Sequence, residues 1–394
     1  MVYEVRDPQP SKSFTIHRVD VDGEDHTNNL VQFECYEGFD DGLAEGHIQL
    51  SSMNRRWADR DFQDSVVTIQ FQEYDDEDET AFVPDIGGRS RRWSRTLEVV
   101  SFDRYLLEGT SQVELVQLGL CNPALLEDTR KRISRSFKNQ YYHEIVGTIL
   151  GTIGITDADI QRTSEKQHVV TPSAHPLDIV HWCSGGAKTQ SGRYGRWKLW
   201  EDNSGVHWKD MIDHVENGRT WEYTMGQDED RGNHSRDHIA ESQWFPGVLW
   251  DRHEWNITGQ SGGLSITRDI LSREENRERV DTSDILTGLR RINSRILIED
   301  TGDERTWSWE TAARPSRERI SQRIGNNQGY SSATVEIAGR AKLLVGDRIK
   351  IRHLDPDGNK VENNSGEWAV RRIRHRLSRD EFTQIVELYR LTRT

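Results

Sequence analysis

The chain alternates apolar and polar residues with a period of two at both of its ends. Between Val335 and Leu391 the alternation recurs in four short runs separated by turn residues such as Gly346-Asp347. The first 120 residues contain five similar runs, at 30–36, 46–50, 66–71, 97–102 and 113–118. Such alternation, interrupted by turns, is typical of half-buried antiparallel strands. The pattern therefore predicts a mainly β fold with similar β-units at the two ends.

Helical signals lie between these ends. Residues 141–150 have apolar side chains at helical spacing and stop at Gly151, and Pro176 fits the first turn of a second helix that runs to Cys183. Residues 197–208 are predicted to form a hairpin around an Asn-Ser-Gly turn, and 244–255 are aromatic and strand-like. A short helix is predicted over 315–324. The middle of the chain is therefore predicted to be a small α+β domain, and the fold class is α+β, mainly β.

These elements predict four parts. Residues 1–118 form a first β-barrel domain, and residues 119–214 form an intermediate α+β domain. A second β-barrel domain is discontinuous and comprises 215–257 and 318–394, while 258–317 is an inserted peripheral domain. The length allows this division, because domains commonly have about 100–200 residues.

The composition indicates folded domains with small cores. Apolar residues make up 34% and charged residues 30%, but 13 Trp, 10 Tyr and 10 Phe are present, and disordered chains are poor in aromatic residues. The longest apolar run, 145–155, is too short to cross a bilayer, so no membrane insertion is predicted. The sequence opens without a charged-then-apolar leader, which argues against secretion. Cys35, Cys121 and Cys183 are widely spaced, as is typical of buried thiols in a reducing compartment.

Negative charge is concentrated near the start of the chain. Residues 1–90 contain 7 Lys and Arg against 21 Asp and Glu, a net charge of −14, and the remaining residues are neutral overall. The densest acidic segment is 74–79. Nucleic acid binding requires clustered cations, so the charge argues against it. Either the acidic segment is a solvated loop, or it faces a passage through which DNA slides without adhering.

One segment resembles the serine motif of hydrolases. Residues 259–263 fit G-x-S-x-G, in which Ser261 would be the nucleophile. The preceding residues are not a buried strand, and the histidines that follow, His353 and His375, lie in the predicted second barrel. A flexible glycine-rich loop is therefore the favoured interpretation.

Metal and sugar sites are similarly incomplete. Structural zinc sites use close Cys or His pairs, and that spacing is missing from the one cluster of such residues, His168, His175, His181 and Cys183. The turns beginning at Asp20 and Asp355 lack a full calcium-loop pattern and are predicted to be hairpin turns. Eight of the 13 tryptophans fall between 182 and 255, where they form either a core or interface or a carbohydrate-binding surface. No catalytic, metal-binding or cofactor-binding residue is predicted.

Three stretches have the order of elements found in one known family. They are the strand pair 97–118 followed by 132–139 and the helix from Tyr141, the unit from 323 to 375, and the last strand at 383–391. Residues 177–186 with the 197–208 hairpin look like that family's intermediate α+β domain. Together these stretches resemble the baseplate hub protein of contractile phage tails, over about half of the chain.

The resemblance implies two tube-protein-like antiparallel β-barrels per chain. Three chains would form a pseudo-six-fold homotrimer that joins a hexameric tail tube to a trimeric spike, with a lumen for DNA passage. The implied partners are the spike protein, a tail tube or tube-initiator protein, the tape-measure protein and surrounding baseplate wedge proteins, with DNA only in transit. The implied location is the tail baseplate of the virion, assembled in the host cytoplasm, and the role is structural, not enzymatic.

Two alternatives stay open. A particle-associated carbohydrate-binding or cell-surface-binding protein would use the tryptophan-rich middle. A serine hydrolase would use Ser261.

Overall fold

The computed structural model describes residues 14–53, 57, 60–73, 92–106, 113–192, 196–226, 238–246, 262–268, 275–281, 332–355, 359–361 and 365–389. Strands dominate this part of the chain, and the predicted class, α+β and mainly β, is confirmed. The acidic segment 74–79, the helix predicted over 315–324, Ser261 and the turn at 356–358 lie outside the described residues.

The first strands come before the helices in the chain. They are β1 Phe14–Val21, β2 Glu24–Asp25, β3 Leu30–Gly38, β4 Glu45–Met53, β5 Val66–Glu73, β6 Arg92–Leu106 and β7 Val113–Cys121. The helices and the strands among them are α1 Pro123–Arg130, β8 Ile133–Tyr141, α2 Tyr142–Thr152, β9 Asp159–Ile160, β10 Lys166–Ala174, α3 Pro176–Gly186, β11 Trp197–Asp202, β12 Gly205–Asp210 and α4 Met211–Glu216. The remaining strands are β13 Thr220–Met225, β14 His238–Ile239, β15 Trp244–Pro246, β16 Gly262–Arg268, β17 Glu275–Asp281, β18 Ser332–Ala338, β19 Arg348–His353, β20 Gly366–Ser378 and β21 Phe382–Tyr389.

The helix predictions hold for α2 and α3, whereas α1 and α4 were not predicted. The predicted hairpin at 197–208 is confirmed by the pairing of β11 with β12. Helix α1 begins at Pro123, where the sequence analysis placed no helix. The side chain of Asn122 accepts a hydrogen bond from the Ala124 N–H at 2.9 Å, and Pro123 occupies the first helical position. An Asn-Pro pair is a recognisable helix start.

Strands from both ends of the chain belong to one large sheet. The strands of the first unit are ordered β3-β4-β7-β6-β5-β1-β2, and β3 pairs with β20. Pairing among the strands is antiparallel except that β13 is parallel to β14 and β19, and β9 is parallel to β12. Strands β16 and β17 form a separate antiparallel pair, which the sequence did not predict.

The alternation seen in the sequence builds the cores. Along β7, Val116, Leu118 and Leu120 are buried, while the residues between them are half-exposed. They belong to a first core, which includes Phe33 and Trp93. A second core lies around Trp368 and Tyr389, and a third lies among α2, α3 and the hairpin of β11 and β12. Each core forms because one face of the sheet, or one stripe of a helix, is apolar.

Candidate functional site

The two β-units meet along one shared strand, β20. The first half of β20 pairs with β19, from Ala369 opposite Arg348 to Gly366 opposite Ile351. Its second half pairs with β3, from Arg372 opposite Gly38 to Ser378 opposite Gln32, and we call this pairing the seam. Strand β21 borders most of β20 on the other side. A single 13-residue strand therefore belongs to both units, and backbone hydrogen bonds connect them directly.

Charged side chains lie on the buried face of the seam. Arg95 on β6 donates a hydrogen bond to Glu37 on β3 at 2.9 Å, and its Nε lies 3.7 Å from Glu201 on β11. The Nε2 atom of His375 on β20 lies 3.0 Å from the other oxygen of Glu37. We call Glu37, Arg95, Glu201 and His375 the buried junction. It joins both β-units and the intermediate domain at one point.

The proton on His375 has a defined position. The Gln384 amide oxygen accepts a hydrogen bond from the Arg340 N–H at 2.9 Å, which fixes the orientation of the amide. Its Nε2 then donates to His375 Nδ1 at 3.1 Å, so that nitrogen is the acceptor. The tautomer is thereby assigned with the ring proton on Nε2, which lies 3.0 Å from Glu37 Oε2. The imidazole therefore lies between Gln384 on β21 and Glu37 on β3.

The electrostatics of the buried junction are set by burial and pairing. Burial alone would lower the pKa of Arg95, but the carboxylates of Glu37 and Glu201 outweigh it and raise that pKa. Glu201 also accepts hydrogen bonds from the Ala44 N–H at 2.9 Å and from Asn122 at 2.7 Å. Burial, with Glu37 nearby, raises the pKa of the Cys35 thiol well above its ordinary value. The cation is thus held charged and the thiol is held protonated.

A second ionic cluster covers the opposite face of the seam. Glu34 on β3 accepts hydrogen bonds from Arg374 at 2.8 Å and from Arg376 at 3.1 Å, and His47 lies 3.4 Å away. Burial acts to raise the pKa of Glu34, but the two arginine hydrogen bonds hold it below its ordinary value. The guanidinium of Arg374 also lies 5.6 Å from the centre of the Tyr36 ring. The seam is therefore fixed by ion pairs on both faces.

The intermediate domain is attached beside the seam. Asp40 forms ion pairs with Lys198 on β11 and Arg371 on β20, both at 2.8 Å. The Phe39 ring packs edge-on against Trp200 with centroids 4.9 Å apart. His214, at the end of α4, lies 3.0 Å from the Val345 carbonyl oxygen. All three units therefore converge on one region that combines ionic and aromatic contacts.

The residues considered for metal binding have separate surroundings. His168 and His181 are exposed and Cys183 is fully buried, while His175 Nδ1 lies 2.9 Å from the Asp128 carbonyl oxygen. Within the described part of the chain, no group of three or more His, Cys, Asp and Glu side chains is arranged to hold a metal ion. No helix among the described residues is long and apolar enough to cross a membrane.

The tryptophan-rich middle is placed mainly in the core. Trp197, Trp200 and Trp208 are buried, and so are Trp221 and Trp244. The Trp208 ring stacks on Trp197 with centroids 4.4 Å apart, and its N–H donates to Ser184 at 2.8 Å. These rings pack the interior and are not presented as a surface.

The described structure is similar to two solved proteins over almost its whole length. One is the 43 kDa tail protein of prophage MuSo2 from Shewanella oneidensis, with a TM-score of 0.58 and 11% identity, covering 96% of this chain and 98% of that one. The other is a tail protein from Neisseria meningitidis MC58, with a TM-score of 0.57 and 10% identity, covering 96% and 97%. This chain shares the fold of these two tail proteins. No family model matches the sequence, and no curated protein matches it.

Sequence reasoning did not find the buried junction, although a signal for it was present. Along β3, the inward positions are Phe33, Cys35 and Glu37, so a carboxylate occupies an apolar position of the alternation. His375 lies similarly between Ile373 and Leu377. Charged residues at inward strand positions imply buried partners, since an unpaired buried charge is costly.

Proposed function

We propose that the chain is the structural baseplate hub of a contractile tail. In this proposal three copies form a pseudo-six-fold homotrimer between the hexameric tail tube and the trimeric spike, with a lumen for DNA passage. The observation that carries the proposal is the similarity to two tail proteins, one of them from a prophage, which extends over nearly the full length of both chains in each comparison.

The seam supports this function physically. A chain that supplies two β-units to a ring must hold them in one fixed relation, because three chains otherwise cannot present six regular positions. Strand β20 is shared between the units, and the buried junction and the Glu34 cluster brace it from both faces. Such bracing suits a structural adaptor, which has to transmit geometry from one partner to the next.

The finer assignments belong to the same proposal. The four-part division predicted from the sequence, with two tube-like barrels, stays a proposal. So do the partners, namely the spike, the tail tube or tube-initiator protein, the tape-measure protein and the wedge proteins, with DNA only in transit. The proposed location is the tail baseplate of the virion, assembled in the host cytoplasm, and the proposed role is not enzymatic. The acidic first unit would line the passage, where its charge disfavours adhesion of DNA.

The carbohydrate-binding alternative draws little support from the described tryptophans. Five of the eight between 182 and 255 are buried in cores, and a stacking platform for sugars requires exposed rings. Ser261, on which the hydrolase alternative depends, lies outside the described residues.

The oligomeric state tests the proposal. Light scattering coupled to size-exclusion chromatography should give three times the mass of the chain, and electron microscopy should show a ring with a central bore. A chain that stays monomeric at high concentration, or trimers without a bore, would refute the hub function.

A further inference from the structure

Strands β8 and β10 form a two-stranded ribbon apart from the large sheet. Phe137 on β8 and Val169 on β10 are buried against the third core, which anchors one side of the ribbon. Most other residues of β8 are exposed, and Val170 on β10 is 65% exposed. Within the described residues, each strand pairs only with the other, so both outer edges lack a strand partner. Packing against the third core stabilises the ribbon, and its two outer edges stay open to a further strand.

The ribbon is locally basic in an acidic chain. Residues 130–141 contain five Lys and Arg and no Asp or Glu, whereas the whole chain has a net charge of −14. Arg130 and Lys131 form ion pairs with Glu127 on α1. Arg132, Arg135 and Lys138 are exposed, and none of the three forms an ion pair with a carboxylate of the described structure. These three cations are therefore available to an acidic surface.

The ribbon has a bulge beside Lys138. Asn139 has a φ of 55°, and the register shifts between Gln167 and Val169, so two residues of β8 face one of β10 there. Such a bulge increases the local twist of a strand pair. The guanidinium of Arg135 lies 5.3 Å from the centre of the Phe137 ring, which holds its charge beside the anchored residue.

We propose that this ribbon docks on the acidic first β-unit of a neighbouring copy of the chain, an inference that rests on the proposed homotrimer. Charge identifies the surface that the ribbon binds, because residues 1–90 have a net charge of −14 and the remaining residues are neutral overall. A closed ring needs a surface that meets a different surface of the next copy, and the ribbon and the first unit provide opposite charges.

One corner of the first unit fits this description best. The carboxylates of Asp22 and Glu24 lie around the guanidinium of Arg60, at 3.6 Å and 2.5 Å respectively. Exposed carboxylates also follow at Asp25, Asp61 and Asp64. We call these five residues the acidic corner. Two further cations lie nearby, Arg18 beside Asp25 and Arg104 at the Arg60 carbonyl oxygen, so the five carboxylates still outnumber the cations.

Edge protection is the competing explanation for the cations. Lys and Arg on an exposed strand prevent indiscriminate edge-to-edge pairing. That role would make loss of the charges cause aggregation, and would leave the trimer itself unchanged. The two explanations therefore predict different products.

Charge reversal tests the docking. The ribbon variant carries Arg132→Glu, Arg135→Glu and Lys138→Glu, and the corner variant carries Glu24→Lys, Asp25→Lys and Asp61→Lys. Each should raise the concentration at which half the trimer dissociates by at least about tenfold, since like charges in an interface cost several kcal/mol. Because surface charges are screened by salt, the wild-type trimer should also weaken as NaCl rises.

A chain with both sets of changes supplies the decisive measurement. It places an acidic ribbon opposite a basic corner in every contact, so it should recover the wild-type midpoint to within about threefold, measured by mass photometry. Reversal of two exposed cations on β19, Lys350→Glu and Arg352→Glu, is the matched control and should leave the midpoint unchanged. Tryptophan fluorescence verifies that each variant is folded.

The outcomes separate the two proposals. A wild-type monomer refutes the hub and the docking together. A wild-type trimer that survives either reversal, or that the combined variant fails to restore, overturns the docking and leaves the hub intact. Aggregation of the ribbon variant with an unchanged trimer mass in its soluble fraction also overturns the docking, in favour of edge protection.

Discussion

Replacing Arg95 with Met should destabilise the fold in a pH-dependent way. The Arg95 side chain is 9% exposed and lies between Glu37, which is fully buried, and Glu201, which is 9% exposed. Methionine keeps much of the apolar volume but removes the only cation described in the buried junction. Both carboxylates would then be buried without a cation, while Glu201 keeps its hydrogen bonds from Ala44 and Asn122. Breaking a buried pair in this way costs about 3–5 kcal/mol.

The pH dependence arises because a buried carboxylate that has lost its cation can become neutral by binding a proton. For a glutamate of ordinary pKa, about 4.3, protonation costs about 5 kcal/mol at pH 8 and about 1 kcal/mol at pH 5. The loss from Arg95→Met should therefore be largest at pH 8 and should shrink as the pH falls. In the wild type, the pairing with Arg95 already compensates these charges. The pH dependence should therefore appear in the difference between the unfolding free energies of the wild type and the variant.

Urea unfolding followed by tryptophan fluorescence measures this difference. At pH 8 the melting temperature should also fall by about 4–6 °C, at about 1.2 °C per kcal/mol for a chain of 394 residues that unfolds as one unit. Lys350→Met is the control, because its ion pair with Glu222 is exposed to solvent and should contribute little to stability. A loss for Arg95→Met below about 1 kcal/mol, or one that is the same at pH 5 and pH 8, would refute the reasoning.

Two further perturbations test other parts of the fold. Burial acts to raise the pKa of Asp202, but hydrogen bonds from His207 and Ser204 lower it to about 2 from an ordinary 3.8. The ionised Asp202 therefore stabilises the fold fully above about pH 4, and this stabilisation is lost as the pH falls through about 2. Asp202→Asn should therefore cost about 2–3 kcal/mol at pH 5 and almost nothing at pH 2 in urea unfolding, and an equal cost at both would contradict the assignment. In thermal unfolding, Gly46→Ala should destabilise by about 1–3 kcal/mol, since its Cβ would lie 2.3 Å from the Glu34 carbonyl oxygen. Gly151→Ala, in open space within α2, should stabilise by about 0.5–1 kcal/mol. If Gly46→Ala were the more stable of the two variants, the close backbone approach at Gly46 would not be what requires glycine there.

The sequence predicted those elements whose signal is local. Strands β3 to β7 follow a period of two and helix α2 follows a helical spacing, because in each case one face is apolar. Helix α1 was missed although Asn122 and Pro123 mark its start, since its four polar residues among eight obscure the periodicity. The pair of β16 and β17 was missed for a related reason, because its second strand, Glu275–Asp281, is almost entirely polar.

The pairing of β3 with β20 in the seam could not be predicted from local sequence patterns, for a different reason. Strand β3 shows which of its faces is apolar, but the identity of the strand beside it depends on contacts with residues about 340 positions away. A long strand such as β20 gives no sequence mark at the point where its neighbour changes from β19 to β3. The inward charges of Glu37 and His375 could have indicated buried partners, but not which ones.

The buried junction uses charge where an apolar core would be at least as stable. Well-packed hydrophobic replacements for buried ion pairs are often neutral or stabilising, so stability alone does not explain Glu37, Arg95, Glu201 and His375. An apolar contact tolerates sliding and repacking, whereas these groups come within ion-pair distance of one another only when β3, β6, β11 and β20 meet in one register. In the proposed ring, a shift of one β-unit against the other would be repeated in all three chains and would spoil the match to a sixfold tube. A charged junction that destabilises every other register therefore suits the proposed ring better than an apolar contact that is more stable but less specific for one register.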